Sequence, residues 1–271
     1  MKTLPAAALL LASAVALVTG CDEHKFDAVL EASAAPPASA SAAAALASAV
    51  AQVAAAAPRW KRKEASECTK NPAAVDFTGQ EALEAEVRRK LSRDKGPIAP
   101  SELASIRSVN LSSAKVHQID PCIFPMFTGL KGCFLGAGEY DDLTPLQKLT
   151  SLEDLNLSRS QVKDLHAIEG LKKLDRLDLS HTLVGDDELR SVASLVNLTE
   201  LTLDEDNVSD LTPIASLAKL QLLSLKKTNV KSLAPLAGLR ALRKLYIEGT
   251  QVSDITPVQP LMAQGLKLLQ N

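Results

Sequence analysis

Charge of a single sign is what this chain most plainly lacks. Lysine and arginine number 30 against 32 aspartates and glutamates, a formal net charge of −2 over 271 residues. Nucleic-acid binding wants a one-signed basic stripe whose cations neutralise successive phosphates, and none is present. Histidine is scarce and scattered: His24, His117, His166 and His181 have no clustered ligands beside them, whereas a zinc centre needs Cys and His at short spacings. Without a glycine-rich phosphate loop, a GxSxG turn or a His-rich helix, the chain offers no catalytic constellation and no cofactor is expected. Aromatic residues make up 3% of the chain, so the side chains that most often anchor an interface are few. No apolar run is long and cleanly flanked enough for a good membrane span.

What the chain has instead is one apolar pattern returning at nearly fixed spacing from residue 149 to 258. The copies read LTSLEDLNLSRSQVKDLHAIEG, LKKLDRLDLSHTLVGDDELRSVAS, LVNLTELTLDEDNVSDLTPIAS, LAKLQLLSLKKTNVKSLAPLAG and LRALRKLYIEGTQVSDITPVQP. Leu155, Leu177, Leu201, Leu223 and Leu245 step by 22, 24, 22 and 22 residues. Tandem self-similarity at this period with an LxxLxL core marks leucine-rich repeats. Two leucines two apart point to one face of a short strand. The following V-x-D-L-x-P-L stretch, as in Val208, Asp210, Leu211, Pro213 and Ile214, holds a proline that forbids a long helix, so a turn or short 3₁₀ piece closes each coil. Going backward, Cys133 falls in a leucine slot 22 residues before Leu155, and Val109 and Leu111 fall in the frame a further 24 back. An α/β solenoid of about seven 22- to 24-residue coils is expected over residues 109–258. Ser160, Thr182, Asp206, Thr228 and Thr250 replace the usual asparagine of LxxLxLxxN, and hydroxyls satisfy backbone groups only partly; a less regular turn after each strand is therefore expected.

The N-terminal stretch MKTLPAAALLLASAVALVTGC reads as a secretory signal over residues 1–20. Its Val18-Thr19-Gly20-Cys21 ending resembles a bacterial lipobox, which implies acylation of Cys21 and a lipid tether to a membrane. Residues 21–67 are dominated by Ala, Ser, Pro and Val and read as a linker or stalk, with 40–57 helix-prone. Its basic end, Arg59, Lys61, Arg62 and Lys63 around Trp60, is a solvated linker end in the first reading and a membrane or polyanion contact in the second.

Residues 68–108 are expected to cap the open end of the solenoid. Thr78 followed by Glu81 has the spacing of a capping box, and Leu83, Val87 and Leu91 give an amphipathic helix of about three turns. The run VDFTGQEALEAEVRRKLSRDKGPIAPSELASIRSVNLSSAKV resembles the N-terminal cap of internalin-like bacterial repeat proteins. Internalins are cell-wall adhesins, and fold alone does not carry that activity across. After Ile255 the motif decays; residues 259–271 are expected to form a C-terminal cap with a short helix and no new strand.

With Cys21 assigned to lipid, Cys68, Cys122 and Cys133 remain in an exported chain. Cys122 stands 13 residues after Val109, as Leu146 does after Cys133, so it is placed in an apolar slot. Two pairings stand open. Cys68–Cys122 would fasten the cap to the first coil, worth roughly 4 kcal/mol by loop closure; Cys122–Cys133 competes with it, and either leaves one thiol over. Asp186-Asp187-Glu188 and Asp204-Glu205-Asp206 are read as solvated acidic turns ahead of calcium sites.

The frame also stacks the outward residues into columns. The central one reads Asn110, Phe134, Asn156, Asp178, Thr202, Ser224, Tyr246. Flanking ladders alternate in sign, Asp154–Arg176–Glu200 and Asp204–Lys226–Glu248, with His181, Glu205 and Lys227 in a third. Candidate binding residues on this concave face are Phe134, Asn156, Asp178, Thr202, Ser224, Tyr246, Arg176 and His181. Ser158 with His181 lacks an orienting third group, so an enzyme is not expected. The resulting expectation is a monomeric, membrane-anchored module that binds a protein or peptide; the alternative is an envelope-scaffolding lipoprotein contacting peptidoglycan or polysaccharide.

Overall fold

The computed structural model describes residues 62–270. The signal segment, Cys21, the stalk and Arg59, Trp60 and Lys61 lie outside the described residues.

Eight short strands form one parallel sheet in sequence order. They are β1 Ser108–Asn110, β2 Gly132–Phe134, β3 Asp154–Asn156, β4 Arg176–Asp178, β5 Glu200–Thr202, β6 Leu222–Ser224, β7 Lys244–Tyr246 and β8 Lys267–Leu269. Register follows the leucine frame: Cys133 pairs with Leu155, Leu155 with Leu177, Leu177 with Leu201, Leu201 with Leu223 and Leu223 with Leu245. A single apolar cluster runs through the stack, and each of these leucines is at most 2% exposed. Full burial stabilises a leucine by about 1.5–3 kcal/mol relative to exposure. One coil cannot reach that burial alone, so each depends on its neighbour.

Opposite the strands, 3₁₀ turns close most coils, among them Phe124–Met126, Thr144–Leu146, His166–Ile168, Thr212–Ser216, Ala234–Gly238 and Thr256–Val258. Their start is set by a side chain two residues before the turn's first N–H. Asp142 accepts from Thr144 N–H, Asp164 from His166, Asp210 from Thr212 and Asp254 from Thr256, each at 2.8 Å, while Ser232 accepts from Ala234 at 3.2 Å. The Asp of V-x-D-L-x-P-L is thus an N-terminal cap, satisfying a donor that a helical start leaves orphaned.

The structure corrects the sequence reading in four places. First, Cys122 does not occupy the slot of Leu146. Phe124 does, 1% exposed, because the two extra residues of this 24-residue coil fall between strand and turn and leave Cys122 half-buried at the rim. The other 24-residue coil inserts its extra pair in the same place and closes with the short helix Leu189–Val192.

Second, the capping box at Thr78 is not formed. The helix α1, Glu81–Leu91, begins after Gln80, and Thr78 instead gives its N–H and hydroxyl to Asp76 at 3.0 and 2.6 Å. The expected apolar stripe is present, with Leu83 and Val87 buried. α1 also carries Glu86, 8% exposed, whose carboxylate accepts the Asn110 N–H of β1 at 3.1 Å and is gripped by Arg89. That carboxylate satisfies a donor on the sheet's first edge.

Third, the tail adds a strand. The short helix Gln259–Ala263 ends at Gly265, whose φ of +100° a side chain would strain. Leu266 N–H then bonds Leu261 O and Gly265 N–H bonds Met262 O, a Schellman closure. This returns the chain to pair β8 with β7.

Fourth, the turns after β3 to β7 are regular. Arg159, His181, Glu205, Lys227 and Gly249 all sit in the left-handed region, φ 53–70°. The cost to a non-glycine residue there is roughly 1–2 kcal/mol. A ladder bond offsets it: these N–H groups donate to the next coil, Arg159 to Ser180 O, His181 to Asp204 O, Glu205 to Lys226 O and Lys227 to Glu248 O, at 2.7–2.9 Å.

The candidate binding face

Residues flanking each inward leucine project from the sheet, and the central column lies as the frame places it. Asn156, Asp178, Thr202, Phe134 and Tyr246 are half-buried, Asn110 is exposed and Ser224 is buried. Short polar side chains lock the strand ends. Asn156 Oδ1 accepts the N–H and hydroxyl of Ser158 at 3.0 and 2.8 Å, and Asp178 Oδ1 those of Ser180 at 3.0 and 2.7 Å. Between coils, Asn156 Nδ2 donates to Asp178 Oδ2 at 2.8 Å. Ser158 has therefore committed its hydroxyl, and His181 turns Nδ1 to Glu205 at 3.3 Å.

The two flanking ladders behave differently. Arg176 reaches back to Asp154 through Nε and Nη2, the latter at 2.9 Å, which raises the guanidinium further above its ordinary range. In the second ladder Asp204 takes the Ser224 hydroxyl at 2.5 Å and the Lys226 N–H at 2.9 Å. The Lys226 ammonium lies instead over the Tyr246 ring, 5.0 Å from its centroid, a cation–π contact. Phe134 rests against Gly132, where an added Cβ would come within 3.0 Å of the ring. In the third column Glu205 holds Lys227 at 2.7 Å as well as His181; the Lys227 bond holds its carboxyl below the usual range.

Behind the column, Ser160, Thr182, Asp206 and Thr228 of the asparagine slot are buried and Thr250 is half-buried. Ser160, Thr228 and Thr250 each donate a hydroxyl to the carbonyl three residues earlier, Leu157, Leu225 and Ile247, at 2.7 Å. Asp206, 3% exposed, departs from them: Oδ1 accepts Thr182 N–H at 2.7 Å and its hydroxyl at 3.1 Å across the coil boundary, while Oδ2 has no partner. Burial pushes this carboxyl up to about 7, with Asp178 and Asp204 adding to it. The sequence reading of Asp204-Glu205-Asp206 as a solvated acidic turn is therefore corrected at Asp206, whose slot points it behind the strand face and out of solvent.

Away from the face, Cys68 and Cys122 form a disulfide, and Cys133 is a buried thiol. Of the basic linker end, Arg62 pairs with Asp141 at 2.8 Å and Lys63 with Asp120 at 3.4 Å. Asp186 is engaged by Ser209 N–H and hydroxyl and by Asp210 N–H. Among the described residues no group of three or more His, Cys, Asp and Glu side chains gathers as a metal would need.

Fold and face together define a leucine-rich repeat solenoid like that of the bacterial internalins. Internalin C2 of Listeria monocytogenes is similar over 76% of this chain and 100% of its own, at 26% identity and a TM-score of 0.66. An internalin of the inlF type from the same organism shares 26% identity over 70% of this chain and 62% of its own, TM-score 0.58. A leucine-rich repeat protein of Leptospira interrogans shares the fold at 19% identity, over 63% of this chain and 51% of that one, TM-score 0.51. No protein-family model and no curated protein matches the sequence.

Proposed function

We propose that this chain is a non-catalytic binding module, displayed from a bacterial membrane by lipid on Cys21, whose strand face holds a partner protein or peptide. The observation that carries the reading is the face itself: a column of short, half-buried polar side chains with an aromatic ring near each end, Phe134 and Tyr246. Likeness to internalins supports it, since leucine-rich repeat folds of this kind typically serve protein interaction and are generally non-catalytic. The engagement of Ser158 by Asn156 and of His181 by Glu205 favours binding over hydrolysis. Pairing of Arg62 and Lys63 with aspartates favours it over a polyanion contact at the linker's end.

The test is in-cell crosslinking and capture of envelope proteins by the full chain, wild type against Phe134→Ala with Tyr246→Ala. Each anchor is expected to account for about 2 kcal/mol, so capture by the double variant falls at least about tenfold. Undiminished capture overturns the assignment of the face. Labelling with a radioactive fatty acid, lost in Cys21→Ser, tests the anchor separately.

A further inference from the structure

We infer that the strand face takes its partner at its last two strands, and that the partner presents an extended peptide segment with a carboxylate side chain two residues from a large apolar one. This rests on the reading of that face as the binding surface and names the chemistry of what it holds.

β7 and β8 set Lys244 beside Lys267 and Tyr246 beside Leu269. All four lie on the outward side, because Leu245 and Leu268 between them turn toward the core. Neighbouring strands are roughly 4.8 Å apart, so two ammonium groups leave the sheet from adjacent positions, which costs stability unless an anion offsets them. None of the chain's own carboxylates does so. In the same column Leu222 separates Lys244 from Glu200, Glu248 lies at the far end of β7, and residues 255–271 contain no Asp or Glu. Arg240 and Arg243 add charge at the start of β7, and the Arg243 guanidinium donates to the Arg240 and Leu242 carbonyls, at 3.0 and 3.2 Å. Among the described residues none of these four cations forms an ion pair, whereas Arg176 and Lys227 are each tied to a carboxylate.

Beyond the cation pair the surface turns apolar. Leu269 is 39% exposed and extends the surface of the half-buried Tyr246 ring onto the last strand. The step from one pair to the other is two residues along a strand, roughly 7 Å. An extended peptide repeats its side chains at that same interval, so an acid and an apolar residue two apart meet both pairs together. A phosphate polymer would neutralise the cations and make no use of Tyr246 and Leu269. Four cations on two coils are also too short a run for the basic stripe that nucleic acid needs.

Panning a random-peptide phage library on the purified full chain carrying Cys21→Ser tests this, with K244E/K267E introduced in the same chain as the comparison. The peptides retained are expected to carry Asp or Glu two positions from a large apolar residue, and a synthetic copy of one should bind the comparison chain at least about tenfold less tightly. Lys267→Glu alone sets opposite charges side by side on β7 and β8, so its melting temperature should hold or rise while peptide binding falls; that separates lost recognition from lost folding. Recovery of no peptide, of peptides without that spacing, or equal binding by K244E/K267E overturns the proposal. Displacement by inorganic polyphosphate together with indifference to Leu269→Ser also overturns it, since the cluster would then hold anions of any kind. In cells, capture that needs Phe134 and Tyr246 but survives K244E/K267E would end this inference while leaving the proposed function standing. Capture that survives both double variants would end both.

Discussion

Asp206 stands where neighbouring coils place a hydroxyl that donates to a carbonyl three residues back. Its own counterpart acceptor is the Leu203 carbonyl, and a carboxylate has no proton to offer it, whereas the neutral acid has one. The ordinary aspartate pKa is about 3.9, and in the fold it is pushed up to about 7. A carboxyl whose folded pKa is raised binds more protons folded than unfolded. Stability from this group is therefore full below about pH 4, falls as pH rises toward 7, and stays lower beyond. Asp76, Asp164, Asp186, Glu102, Glu205 and Asp254 are shifted the other way, so their contribution is lost only under acid conditions. Asp206→Asn keeps an acceptor for Thr182 and supplies a permanent N–H donor. Denaturation by urea should find the variant more stable than wild type by about 2–4 kcal/mol at pH 8 and little changed at pH 4. Equal stabilisation at both values would show that the carboxyl is not protonated on folding.

At the scale of the element, four of the 3₁₀ turns each depend on one aspartate and a fifth on Ser232. Asp210→Ala should cost about 1 kcal/mol, read as a lowered melting temperature with faster amide exchange at Thr212 and little change in the strands. The leucine frame was legible because period and LxxLxL spacing translate directly into strand register. Where an insertion sits within a coil was not, since a strand-to-strand step of 24 residues says nothing of where the extra pair falls; hence Cys122 was assigned the slot that Phe124 fills. Thr78 matched a capping pattern, but Asp76 competes for its N–H and hydroxyl two residues away. The left-handed turn went unread because Arg159, His181, Glu205 and Lys227 are not glycines, and only the cross-coil bonds reveal why they adopt it. Of the face, the columns were legible and the directions of long side chains were not: Lys226 prefers Tyr246 to either acidic neighbour in its ladder.

For the whole molecule, nearest-neighbour contacts make the ends the weak points of a stacked array. The first end is held by α1, by Glu86 on β1, and by the Cys68–Cys122 bond across a sequence separation of 54. Cys122→Ser should lower stability by about 4 kcal/mol, measured as the loss in denaturation free energy, and should raise hydrogen exchange around residues 63–68 before it does so in the central strands. The same bond decides how pulling force would travel. Tension arriving along the chain from the stalk side reaches Cys68 and crosses the sulfurs into the first coil at Cys122, so the 53 residues between them, α1 included, are bypassed by the load and remain folded while the coils beyond bear it.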